Sequence, residues 1–262
     1  MSKTNFQQII EFHQAFGLAY SPTISYDNLQ NFKIASLRVK LIDEEFNELL
    51  SAPNLTEQLD AIGDMLYVIY GAGASFGFNM DEEYAIFCNL LIRSNQIPED
   101  QYFEIETFQT TNYHKTAYVN YLINIQKQQK PELVNINQDN FFQNLIHDLS
   151  YNLLMCRFDN VKRNLLEMLY IIYTNGIFCQ YDLDKLFDII HKSNMTKLCK
   201  TEIEASVSVD YYVENQHDRY PEPFYKKSPD NIHYVLFERT TGKALKSKYF
   251  SPPNIIVEEL IV

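Results

Sequence analysis

The chain has 262 residues, a net charge of −12 at pH 7 and 46% hydrophobic residues, among them 19 Tyr and 18 Phe. This composition excludes a disordered chain and can bury a sizeable core, as one large domain or two small ones. The acidic balance excludes a protein that coats polymeric nucleic acid, which takes clustered Lys and Arg; a small anionic substrate stays compatible, because a bound cation inverts the local field.

Cys88, Cys156, Cys179 and Cys199 are far apart and form no CxxC or His–Cys cluster, so they read as thiols in a reducing compartment. Residues 2–10 are polar, so no signal peptide is expected. Asp64 interrupts the longest apolar run, around 61–78, so no membrane span is expected either. The expected setting is intracellular, soluble and cytoplasmic.

In chain order, the first expected helix covers 4–16, with Thr4 as its N-cap. Helices over 30–51 and 56–77 follow, separated by Pro53 and Asn54. Each carries an acidic cluster. Leu41-Ile-Asp-Glu-Glu-Phe-Asn-Glu-Leu-Leu50 sets Glu44, Glu45 and Glu48 at i, i+1 and i+4, on one broad face, and Asp60 and Asp64 share a face of the next helix. Carboxylates set among Leu41, Ile42, Phe46, Ile62, Met65 and Leu66 are costly unless something positive neutralises them. Oxygen-only ligands converging from two packed helices suit Mg2+ or Mn2+, and hence a phosphate-bearing substrate. A fourth helix is expected at 80–94, then a polar connector at 97–112.

The pattern then repeats. Asp64-Met-Leu-Tyr-Val-Ile-Tyr70 aligns without gaps on Glu167-Met-Leu-Tyr-Ile-Ile-Tyr173, Leu41–Leu50 aligns on Leu145–Leu154, and Ile92–Asn95 on His191–Asn194. The second set of helices is expected at 113–128, 138–155, 158–177 and 182–195, with Asn79 and Asp182 as further capping positions. The fold class is therefore all-α, two four-helix units forming a fused pseudo-dimer. The domains are expected at 1–110, 111–200 and a tail over 201–262. That tail carries five of the nine prolines, in loops or short strands with one hairpin around Tyr234–Gly242, and is expected to wrap the helical body.

The repeats differ in chemistry. Where the first has Glu44, Glu45, Glu48, Asp60 and Asp64, the second has Asp148, Leu149, Asn152, Arg163 and Glu167, which should abolish metal binding there. Gly71-Ala-Gly73-Ala-Ser-Phe-Gly77 is spaced GxGxxxG, one residue too long for a dinucleotide loop, and the strand–helix alternation of such folds is missing; close helix approach explains it better.

The chain resembles the all-α nucleoside triphosphate pyrophosphohydrolases, the MazG-like, dimeric dUTPase and phosphoribosyl-ATP pyrophosphohydrolase superfamily. Its EExxE cluster is matched by Glu44, Glu45 and Glu48. The following acidic cluster is matched at Asp64, whereas Ala61 stands at the usual glutamate and Asp60 lies one residue away. His191-Lys-Ser-Asn-Met-Thr-Lys-Leu198 is similar to the HRSNMSKL segment of one subfamily, and Phe12–Gly17 and Tyr249–Pro253 resemble that subfamily's opening and closing segments.

The resemblance implies Mg2+- or Mn2+-dependent cleavage of a nucleoside triphosphate between the α- and β-phosphates. Glu45, Glu48, Asp60 and Asp64 are the candidate metal ligands, with Glu44 as a ligand or the base. Lys192, Asn194 and Lys197 are the candidates to hold phosphate oxygens. A homodimer of pseudo-dimers is a further expected assembly.

Simpler readings stand beside these. An EExxE group alone is usually a solvated helix face, and lysines near a helix C-terminus are ordinary surface cations. His13 and His191 read as packing or capping residues, and Arg163 as a partner of the first repeat's carboxylates or a substrate clamp. The alternative function is a catalytically weak nucleotide-binding or scaffold protein that keeps the fold.

Overall fold

The computed structural model describes residues 3–94 and 140–262. The helix α1 spans Asn5–Phe16, α2 Tyr26–Gln30, α3 Phe32–Ser51, α4 Leu55–Phe76 and α5 Met80–Ser94. After the undescribed stretch come α6 (Phe141–Leu154), α7 (Phe158–Phe178), α8 (Leu183–Met195) and α9 (Glu202–Asn215), then strands β1 (Pro223–Lys227), β2 (Tyr234–Glu238) and β3 (Ala244–Leu245), and a short α10 (Val257–Leu260). The fold is all-helical apart from the antiparallel β1–β2–β3 sheet of the tail. The helix expected at 113–128 lies outside the described residues.

The ends of the elements follow local chemistry. Thr4 caps α1 in a reciprocal capping box with Gln7, and the Asp182 carboxylate accepts from the Asp184 and Lys185 backbone N–H groups to start α8. Asn31 splits the helix expected at 30–51, ending α2 and capping α3 through its side chain. Gly77 ends α4 at φ 82°, where a Cβ would also run into the Thr23 carbonyl, so this glycine serves a turn and a close approach together.

The helices pack reciprocally. The α3–α4 hairpin lies against the α6–α7 hairpin, α3 on α6 and α4 on α7, while α8 packs on α4 and α5 packs on α7. The fourth helix of each expected repeat thus lies on the third helix of the other. Equivalent details recur: a Cβ on Gly73 would collide with Met80, and one on Gly176 with Leu183. These relationships are compatible with an internal duplication. One apolar core runs through both halves, from Ile9 and Phe16 to Leu186 and Phe187.

The tail departs from the expectation of loops and short strands by containing the 14-residue α9, capped by Thr201. Its sequence, rich in β-branched and polar residues, hides the helix because only Ala205, Ser208 and Tyr212 are buried. A small core of Cys199, Ala205, Tyr212, Leu236 and Leu245 fixes α9 to the sheet. The tail also holds the body, through Ser228 donating to the Ala15 carbonyl (2.6 Å) and Asp182 N–H to the Leu260 carbonyl (2.7 Å). Among the described residues no helix is long and apolar enough to cross a membrane.

Candidate active site

A cavity of about 320 Å³ opens between α1, α3, α4, the end of α8 and the tail. Glu45 and Glu48 reach it from α3, Asp64 from α4, Asn194 and Lys197 from the end of α8, and Lys243 and Lys246 from the tail. Carboxylates of the first half therefore meet cations that follow them by more than a hundred residues.

Electrostatics tie these groups together. Burial, then the charges of Asp64 and Glu48, push the Glu45 carboxyl upward, while Lys243 and Lys197 act against them. Burial also raises Asp64, opposed by Lys197, Lys246 and a hydrogen bond from Asn194. Asp60, one turn before Asp64, is raised to about 6 by burial and by Asp64, and one of its carboxylate oxygens is buried with no hydrogen-bond partner. Lys197 is lowered to about 8, chiefly by burial, although Asp64 favours its charged form.

The segments that supply the lysines are locked to one another. Ser193 Oγ donates to the Ser251 carbonyl at 2.8 Å, and Ser251 N–H donates to Thr196 Oγ1 at 2.9 Å. Phe250 lies beneath both Lys197 and Lys246, with ammonium-to-ring distances of 5.9 and 4.7 Å. Lys243 and Lys246 flank β3, whose Leu245 is anchored in the tail core, so the short strand holds both cations at the cavity. Neither lysine was among the sequence-derived candidates. Three lysines within Lys243-Ala-Leu-Lys-Ser-Lys248, in so acidic a chain, were the available signal.

Three of the expected residues do not line the cavity: Asp60, one turn before Asp64, Glu44 and Lys192. Glu44 does not line the cavity: successive residues turn by about 100° on a helix, so Glu44 faces sideways and pairs with Lys243, with Lys40 at 3.7 Å. Lys192 lies on the solvent side of α8, 72% exposed and paired with Asp188 at 2.5 Å, because Asn194 takes the face turned to α4. His191 is buried, linking Tyr67 (3.0 Å) to Glu11 (3.2 Å), and His13, which also lines the cavity, is buried against the Ala19 carbonyl (2.8 Å). Arg163 reaches neither the first half's carboxylates nor the cavity and pairs with Glu167 on its own helix at 2.7 Å.

At the equivalent place in the second half, Leu149 is fully buried and the Asn152 side chain donates to Asn164 at 2.9 Å. A leucine and an amide thus stand where the first half has Glu45 and Glu48.

Glu45, Glu48 and Asp64 in the cavity, with Asp60 one turn before Asp64, offer oxygen donors, the type that Mg2+ or Mn2+ takes. Among the described residues, however, no three His, Cys, Asp or Glu side chains are already arranged around one point at coordinating distance.

Residues 9–89, which carry Glu45, Glu48, Asp60 and Asp64, match the family model of phosphoribosyl-ATP pyrophosphohydrolase. The chain belongs to the all-α nucleoside triphosphate pyrophosphohydrolase superfamily. It is 32% identical to "Uncharacterized protein L479" of Acanthamoeba polyphaga mimivirus, over 96% of this chain and 94% of that protein. No solved structure matches it. The family membership supports a pyrophosphohydrolase-like chemistry.

Proposed function

We propose that the protein is a divalent-metal-dependent nucleoside triphosphate pyrophosphohydrolase that cleaves between the α- and β-phosphates, giving a nucleoside monophosphate and pyrophosphate. The observation that carries this reading is the meeting of Glu45, Glu48 and Asp64 with Lys197, Lys243 and Lys246 in one cavity. A triphosphate needs both signs: cations for its oxygens, and carboxylates for the metal and the attacking water.

Glu45, Glu48 and Asp64, with Asp60 beside them, would hold Mg2+ or Mn2+, which when bound supplies charge neutralisation of the phosphates and lowers the pKa of water. Lys197, Lys243 and Lys246 bind phosphate oxygens as point charges, and Asn194 orients Asp64. Glu44 acts by holding Lys243 in place. The halves 1–110 and 111–200 are read as a fused pair sharing this one working site, the first supplying carboxylates and the second, with the tail, supplying cations.

The test is to incubate the purified protein with a panel of nucleoside triphosphates and Mg2+ or Mn2+ and to measure pyrophosphate. Release from at least one nucleotide is expected; none from a folded protein that binds metal would overturn the reading. Ala61 at the family's usual glutamate position, with the loss of carboxylates in the second half, favours as the second reading a nucleotide-binding or scaffold protein with weak turnover. It predicts calorimetric binding of a non-hydrolysable triphosphate without product.

A further inference from the structure

The cavity has a second end that phosphate hydrolysis does not use. Arg38, Leu41, Glu45 and Glu48 follow one another at steps of three, four and three residues, so they form one stripe along α3. Arg38 lies two turns, about 10 Å, from Glu45. On α4 the cavity passes from Asp64 over Tyr67 and Val68 to Gly71. The rest of the lining includes the apolar Ile9, Phe12, Leu18, Leu41 and Val68, and, from the tail, Tyr212, Gln216, Arg219 and Tyr220.

Arg38 is 6% exposed, and none of the described ion pairs includes it. Its Nε donates to Ser75 Oγ at 2.9 Å and its Nη2 to His13 Nε2 at 3.4 Å. His13 accepts there because its Nδ1–H donates to the Ala19 carbonyl. Desolvation, then the charge of Arg38, hold that imidazole neutral. Two of the five guanidinium N–H groups are thus used to fix its plane. Nη1 lies over Gly71, where an added Cβ would come within 3.2 Å, so glycine leaves the room the guanidinium occupies. A buried guanidinium held by neutral partners is costly unless a ligand supplies acceptors.

The geometry points to a nucleobase subsite in which Arg38 reads two adjacent acceptors, the N7/O6 edge of guanine or the N3/O2 edge of cytosine, and discriminates against adenine. This rests on the nucleotide reading of the carboxylate end. A triphosphate bound there leaves its base about two helical turns away, beside the apolar side chains of α1, α3 and α4. Arginine offers donors only. Adenine sets its amino donor beside both N1 and N7, so the pairing fails at one of two contacts. In uracil and thymine an N–H separates the two carbonyl oxygens.

The test is calorimetric binding of the α,β-imido analogues of dGTP, dCTP, dTTP and dATP to the full chain in Mg2+, beside pyrophosphate release from the natural nucleotides. The guanine and cytosine analogues should bind about tenfold or more tightly than the adenine one, the scale of one bidentate contact. Arg38→Met should bring the four to within about twofold by weakening guanine and cytosine alone, and Arg38→Lys should keep little of the preference. Equal wild-type affinities, a preference for adenine, binding of no analogue, or an unchanged preference in Arg38→Met would each overturn the inference. Because the wild-type panel decides by itself, a variant that fails to fold does not protect it. Discriminating binding without pyrophosphate release would sink the hydrolysis reading and leave the base subsite standing.

Discussion

The hydroxyls of Tyr70 and Tyr173 face each other at 3.4 Å in the core, each donating to an aspartate eleven residues further along, Asp81 at 3.0 Å and Asp184 at 3.1 Å. The two pairs occupy equivalent positions of the two halves, and their meeting point joins α4 to α7. Tyr70→Phe removes a buried bond to a charged acceptor and should cost about 1–3 kcal/mol of stability. Urea denaturation would measure it. Because the hydroxyls share one network, adding Tyr173→Phe should cost less than the sum of the single changes; strict additivity would show that the pairs are independent.

The asymmetry of the halves predicts unequal responses to charge removal. Glu48→Gln deletes a proposed ligand with little change of shape and should abolish pyrophosphate release. Glu167→Gln touches an ion pair whose Arg163 is 72% exposed, so turnover should survive and stability should change by less than about 1 kcal/mol. Equal loss of turnover in both would mean that the second half still works.

Lys197→Met should act with opposite sign on two ligands. Losing a charge-assisted contact should weaken triphosphate binding by roughly 1.5–3 kcal/mol. Removing an ammonium that acts on Asp64 and Glu45 should make those carboxylates better cation ligands, so Mn2+ titrated without nucleotide should bind more tightly. Unchanged nucleotide affinity would place Lys197 outside the substrate contacts.

His13 gives the acid limb of stability. Burial, then Arg38, hold its pKa well below the ordinary value of 6.5. The unfolded chain therefore takes up a proton that the folded chain refuses, and stability falls as the pH drops below 6.5 toward the folded pKa. Denaturation at pH 7.5 and 5.5 should show this loss, and His13→Asn, which keeps a donor for the Ala19 carbonyl, should show less of it. A variant with the same pH slope as the wild type would assign the loss to other groups.

Much of this was legible in the chain because it depends on local periodicity. Apolar spacing gave the helices over 56–77, 80–94 and 158–177 nearly to the residue, and Thr4 and Asp182 marked their helix starts because a cap needs only its own next few residues. The EExxE spacing and Asp64 likewise brought two helix faces into view. Tertiary structure decided what those faces meet. Glu44 and Glu45 are adjacent in sequence, yet packing turned Glu45 into the cavity and left Glu44 to Lys243. Lys197, Lys243 and Lys246 reach the carboxylates of α3 and α4 only because α8 lies on α4 and the β2–β3 hairpin is anchored by Leu245 and Tyr212. No motif or spacing in the sequence marks Arg38. Only packing against Ser75, His13 and Gly71 removes it from water and makes its unused donors a binding feature. Helix starts and faces are set by neighbours a few residues away, whereas desolvation and charge pairing depend on which distant segments share a core, and one chain's spacing does not encode that contact.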